Sequence, residues 1–173
     1  VGILLATKRT GEKLNLEDNE KSKFDSYRKK LVNNEINLLD ICLKEDLLLS
    51  TANIAPLSHW ITPNIESRRF DTRFFIAYLP EKQIVEHDGL ELTQSLWINP
   101  NKAVEMAFKG EMQMIMPTIK NLQSCSEFEV AKDMLDSQKR LTNKDIPPIL
   151  PKFFKENGNW VGLLPGDDGY EDH

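Results

Sequence analysis

The chain has 173 residues, 40% hydrophobic and 28% charged, proportions of an ordinary globular domain that exclude disorder throughout and allow one sizeable core. Its longest apolar runs, at 2–7 and 47–50, fall far short of the ~20 residues that cross a bilayer, so no segment reads as a membrane anchor. A formal net charge of −5 argues against a general nucleic-acid binder, but not against an anionic ligand held by a local basic cluster.

In chain order, residues 1–7 read as a short buried strand, apolar and bounded by charge. The sequence begins at Val1 with neither the basic stretch nor the small residues of a signal peptide, and reads as a trimmed form or a fragment. Lys8 to Ser22 is polar and is expected as an exposed loop. Phe24, Tyr27 and Leu31 then fall at i, i+3 and i+7, one face of a helix. Asn33-Asn34 interrupts it. A second helical stretch runs through Ile36, Leu39, Ile41 and Leu43, with Asp46 to Ser50 as its expected continuation.

Leu57 to Thr62 reads as a strand closed by Pro63, and Phe70 to Leu79 as a long aromatic-rich strand that stops at Pro80. Gln83 to Gly89 is a polar turn region, and Glu91 to Ile98 another strand. Asn99 caps the next helix, with Pro100 at its first position and Gly110 at its end. Pro117 opens a last helix reaching about Lys139, with a break allowed at Ser124-Cys125-Ser126. Pro147, Pro148 and Pro151 favour extended backbone, then a strand at Trp160–Leu164 and a turn at 165–169. Uneven alternation of strands and helices points to α+β or a layered α/β/α sandwich. Cys42 and Cys125 lie far apart without metal-ligand spacing and read as free thiols of a reducing compartment.

Five stretches carry a resemblance. Val1-Gly2-Ile3 matches the last three positions of an Arg-Glu-U-x-Glu-Glu-x-Gly-U box, where U is a bulky aliphatic. His59-Trp60-Ile61-Thr62-Pro63, followed after a gap by Arg68-Arg69-Phe70-Asp71-Thr72-Arg73-Phe74-Phe75, is the most specific. Trp97-Ile98 with Pro100 and Ala103, Met116-Pro117-Thr118 with Leu122, and Leu163-Leu164-Pro165-Gly166-Asp167 with Tyr170 complete the set in order. Together they resemble the Nudix hydrolases, in the branch of nucleoside diphosphate-linked moiety X motif 19. The resemblance implies an α+β fold: a partial Nudix α/β/α sandwich with a helical insertion at about 20–52, a long C-terminal helix and an extended tail at about 145–173. The whole chain would be the C-terminal part of a single domain. A sandwich lacking its early strands is expected to fold poorly alone, with unpaired edges.

The implied reaction is hydrolysis of the diphosphate of coenzyme A or its acyl esters, to adenosine 3′,5′-bisphosphate and (acyl-)4′-phosphopantetheine. Mg2+ or Mn2+ is the implied cofactor. The glutamates of the box that would bind it are expected before Val1, since the sequence contains no Arg-Glu-x-x-Glu-Glu segment. The chain alone is therefore expected to be inactive. The alternative is a catalytically silent nucleotide-binding or regulatory module. The resemblance also implies a peroxisomal or mitochondrial location, although Glu171-Asp172-His173 is no Ser-Lys-Leu-type address.

Arg68, Arg69 and Arg73 are the expected phosphate binders, because guanidinium forks match phosphate oxygens. Arg69, Asp71 and Arg73 would share a strand face, where an Arg–Asp–Arg ladder without ligand is the alternative. Trp60 would stack on an adenine or fill core, and His59 reads as structural. Glu91, near Glu86, His87 and Asp88, is the candidate extra carboxylate, against a merely solvated acidic loop. Gly2 and Ile3 are the remnant of the box. The acidic tail reads as a structural turn, and Met106, Met112, Met114 and Met116 as core filling.

Overall fold

A computed structural model describes residues 2–16, 18–87, 89 and 94–172, with the side chains of Asp18 and Asn19 set aside. They divide into two compact units: residues up to Ile54 with Ala77–Trp97, and Ala55–Ile76 with residues from Ile98 onward.

The first unit is built on the helical insertion. Helix α1 (Asp18–Val32) buries Phe24 and Tyr27 on the face expected from their spacing, with the two rings edge to face at 5.7 Å. Lys29 and Lys30 lie in its last turn, where they complement the helix dipole, and Asn34 ends it with a φ of 57°. Helix α2 (Leu38–Lys44) starts at a reciprocal cap: the Asn37 side chain accepts from the Asp40 amide, and the Asp40 carboxylate accepts from the Asn37 amide. Its Ile41 and Cys42 are buried, whereas Leu39 and Leu43 face outward.

Two expectations change here. The helix does not continue through 46–50: Asp46, at a φ of 52°, turns the chain into strand β2 (Leu47–Leu49). Strand β1 is only Ala6–Lys8, antiparallel to β2 with Ala6 opposite Leu49, and residues 2–5 before it are not in a strand. The backbone of Leu4 finds a side chain in place of a strand. Its N–H donates to Gln83 Oε1 at 2.9 Å, and its carbonyl accepts from Gln83 Nε2 at 2.9 Å. The core comprises Ala6, Leu14, Phe24, Tyr27, Ile41, Cys42 and Leu47. Leu14 brings part of the expected exposed loop inside.

In the second unit, strand β3 (Ile54–Ile61, from Ala55 onward) lies between β4 (Asp71–Ala77) and the short β5 (Pro148–Ile149). The β3–β5 pairing is parallel, His59 opposite Pro148 and Trp60 opposite Ile149. Helix α3 (Pro100–Phe108) starts as expected, the Asn99 side chain accepting from the Asn101 amide, and Gly110 follows it at a φ of 74°. The strand expected at 91–98 is not formed by its described residues, 94–98, where Leu96 and Trp97, which belong to the first unit, are exposed; 91–93 lie outside the described residues.

The last helix comes in two segments, α4 (Met116–Ser126) and α5 (Ala131–Gln138), separated just after the serine–cysteine–serine run. The proline-rich stretch leads into a hairpin of β6 (Lys152–Glu156) and β7 (Asn159–Leu163). Asn157 and Gly158 form its turn at φ values of 50° and 85°, the left-handed pair a two-residue hairpin requires. The tail is fastened through Tyr170, whose hydroxyl donates to the Leu150 carbonyl at 2.8 Å while Lys152 lies over its ring. Asp167 accepts from the Leu164 amide, so the acidic turn is structural. Among the described residues, no helix is long and apolar enough to cross a membrane.

Candidate functional site

The connection from β3 to β4 carries Arg68 and Arg69, and β4 itself carries Arg73. Thr62 organises the connection: its amide donates to the Phe70 carbonyl, and its hydroxyl accepts from the Phe70 amide, both at 2.9 Å. Arg69 Nε donates to the Thr62 carbonyl at 2.9 Å, and the Arg68 guanidinium lies 5.0 Å from the centre of the Phe70 ring. Asp71 does not join a ladder with the arginines. Its Oδ1 meets His59 Nε2 at 2.6 Å, clipping β4 to β3. His59 is thus placed structurally, as its sequence context suggests. Arg68, Arg69 and Arg73 are all exposed, and no ion pair joins any of them to a described carboxylate.

Behind this turn the sheet is tied to α4 by a relay that sequence reading missed. The Trp60 indole donates to Ser58 Oγ at 3.1 Å, and Ser58 donates to Asn121 Oδ1 at 2.6 Å. Asn121 is buried, and Trp60 is 4% exposed. An indole so enclosed sits as core, one of the two roles its sequence context leaves open for Trp60. A polar residue on the inward face of a helix, as Asn121 is on α4, is the signal that marks such a relay.

The first unit holds a separate cavity of about 460 Å3, with Gly2 and Ile3 among its lining residues. On its wall Lys21 Nζ stands between Asp25 at 2.9 Å and Glu86 at 3.0 Å. The hydrogen bond with Asp25, then that with Glu86, raises the lysine above its ordinary range. Nearby, Glu45 accepts from Tyr27 at 2.7 Å and pairs with Lys23 at 2.6 Å. Those bonds, Lys23 first, hold its carboxyl below its ordinary range.

The divalent cation that the resemblance implies can be tested against these side chains. Among the described residues no group of three or more His, Cys, Asp and Glu side chains is placed to hold one. The acidic pair Asp25 and Glu86 already encloses an ammonium. The described residues do not fit the metal. Glu91 and Asp88 lie outside them, and His87 Nδ1 is buried without a partner among them. Both cysteines are free; burial raises the Cys125 thiol.

The family model described as the NUDT19 Nudix domain matches residues 1–124. The chain belongs to this family. Nudix proteins are pyrophosphohydrolases that generally use divalent metal ions. An acyl-coenzyme A diphosphatase NUDT19 from Xenopus laevis is 27% identical over 98% of this chain and 47% of its own length. The Homo sapiens protein of the same name is 26% identical over 84% of the chain and 39% of its own length. The chain therefore spans less than half of the curated relatives it matches. A solved NUDIX hydrolase from Alicyclobacillus acidocaldarius superposes with a TM-score of 0.65 at 20% identity, over 79% of this chain and 60% of that one. This likeness establishes the α+β Nudix fold.

Proposed function

We propose that the NUDT19-family chain is the C-terminal part of one Nudix domain and holds the substrate of a coenzyme A or acyl-coenzyme A diphosphatase. The supporting observation is the arginine turn, with exposed guanidiniums at Arg68, Arg69 and Arg73 that no described carboxylate neutralises. Coenzyme A carries a diphosphate and a 3′-phosphate, and guanidinium forks suit both. In the reaction, water attacks one phosphorus of the diphosphate and the bridging P–O bond breaks. Adenosine 3′,5′-bisphosphate and (acyl-)4′-phosphopantetheine leave.

Arg68 and Arg73 take phosphate oxygens in this reading, while Arg69, tethered to the Thr62 carbonyl, shapes the turn. Glu91 is the extra carboxylate, by resemblance. The Mg2+ or Mn2+ requirement belongs with box glutamates outside these 173 residues. A peroxisomal or mitochondrial location follows from the resemblance and is testable by imaging the tagged full-length protein. The second reading is a silent nucleotide-binding or regulatory module, which the lack of an Arg-Glu-x-x-Glu-Glu segment in the sequence upstream of Val1 would favour.

Coenzyme A hydrolysis with magnesium, in this chain and in one extended upstream, separates the two. Activity only in the extended chain supports the diphosphatase. Coenzyme A binding without hydrolysis in either supports the silent module. Neither binding nor hydrolysis sinks both.

A further inference from the structure

The cavity of the first unit has a charge pattern of its own. Its walls are mainly aliphatic and aromatic, including Leu4, Phe24, Leu31 and Ile41, and its volume is about 460 Å3. That is roughly three times the ~150 Å3 apolar cavity that takes one benzene, room for a chain of around ten carbons. Among the described residues, four charged side chains line it. Lys21, Asp25 and Glu86 satisfy one another. The fourth, Arg28, is half-buried and has no ion pair with a described carboxylate. Its guanidinium comes so close to Gly2 that a Cβ added there would meet Arg28 Nη1 at 2.8 Å. Gly2, at a φ of 72°, leaves that space open.

A guanidinium on an apolar wall, paired with no described carboxylate, is complementary to an apolar body carrying one negative charge. A neutral hydrocarbon would leave Arg28 without a partner, and a compact anion would leave the apolar walls in contact with water. We propose that this cavity binds a medium-chain carboxylate, its alkyl tail among Leu4, Phe24 and Leu31 and its head group on Arg28. The inference rests on the first unit alone and is independent of the diphosphatase reading, whose basic cluster lies in the second unit.

Calorimetric titration of the full chain with decanoate, decanol and coenzyme A tests it. Decanoate is expected to bind at least about tenfold more tightly than decanol, the usual effect of a charge-assisted hydrogen bond. Arg28→Gln should remove that preference while leaving decanol binding unchanged. A second variant, Leu31→Phe, which narrows the cavity, should weaken both ligands without abolishing the preference. Equal binding of decanoate and decanol overturns the proposal, as does failure of both to bind. Decanoyl-coenzyme A that binds more tightly than decanoate and is insensitive to Arg28→Gln would assign the tail site to the thioester and overturn the free-carboxylate reading. Decanoate binding by the 173-residue chain but not by an upstream-extended one would show that protein fills the cavity, with the same consequence.

Discussion

Replacing Gln83 with leucine probes the feature on which the entry to β1 depends. Gln83 is 7% exposed and spends its whole amide on Leu4, donating to the carbonyl and accepting from the N–H. Leucine keeps most of the volume but leaves both backbone groups facing hydrocarbon. A stranded buried polar group costs about 1–3 kcal/mol, and Leu4 is only half-buried, so the lower half of that range applies to each. The pair then loses about 2–4 kcal/mol, offset by about 1 kcal/mol from the added apolar burial. The net expectation is about 2 kcal/mol. With an m-value of about 1–3 kcal/mol/M, the urea midpoint should fall by about 1 M, in whichever length of the protein unfolds cooperatively. The Leu4 amide should also lose its protection against hydrogen exchange. An unchanged midpoint with Leu4 still protected would refute the reasoning, because it would mean that the backbone finds another partner.

Glu45 supplies a test by pH. Its carboxyl is held below the ordinary 4.5 by Lys23 and then Tyr27, so its contribution is present above that value and lost as pH falls through the lowered one. Glu45→Gln should flatten the acid limb of the stability curve. It should cost about 1 kcal/mol at neutral pH, a figure kept small because the Lys23 side chain is 36% exposed. Unchanged acid sensitivity in differential scanning would count against this clamp. Tyr170→Phe, which removes the hydroxyl bond to Leu150, should cost about 1 kcal/mol. Tyr170→Ala, which also empties the packing site, should cost about 3–4 kcal/mol, and equal melting temperatures for the two variants would disprove the split. If coenzyme A binds as proposed, Arg73→Gln should weaken its binding about tenfold, and a matching Asn101→Gln should not. Equal affinities would remove Arg73 from the substrate surface.

Periodicity made the local elements legible, because a helix or strand with one buried face writes its period into the chain. The Phe24–Tyr27–Leu31 face, the β3 and β4 strands and the Asn99-Pro100 helix start all follow from residues a few positions apart. The box remnant, the His59–Pro63 run with the arginine turn after it, and the tail turn were enough to resemble the family that the match over 1–124 then established. Asn157-Gly158 also carries a hairpin signature in the sequence, although the prolines before it favour extended backbone.

Partners distant in sequence were decided only by the tertiary structure. The Gln83 amide reaches Leu4 across 79 positions, and Ser58 reaches Asn121 across 63, pairings that no local period encodes. A polar turn residue became a buried bracket, and Trp60, open by sequence to stacking or to core filling, is enclosed. Asp71 had two arginines close in sequence and took His59 instead, because adjacent strands bring side chains together more closely than neighbours along one strand. Sequence pattern determined the elements whose own alternation of polar and apolar residues is clear, such as α1, β3, β4 and α3, but not the strand at Leu47–Leu49 or the lack of one at 94–98. Burial, and with it the pairing of every polar group left inside, was decided by what the folded chain placed opposite.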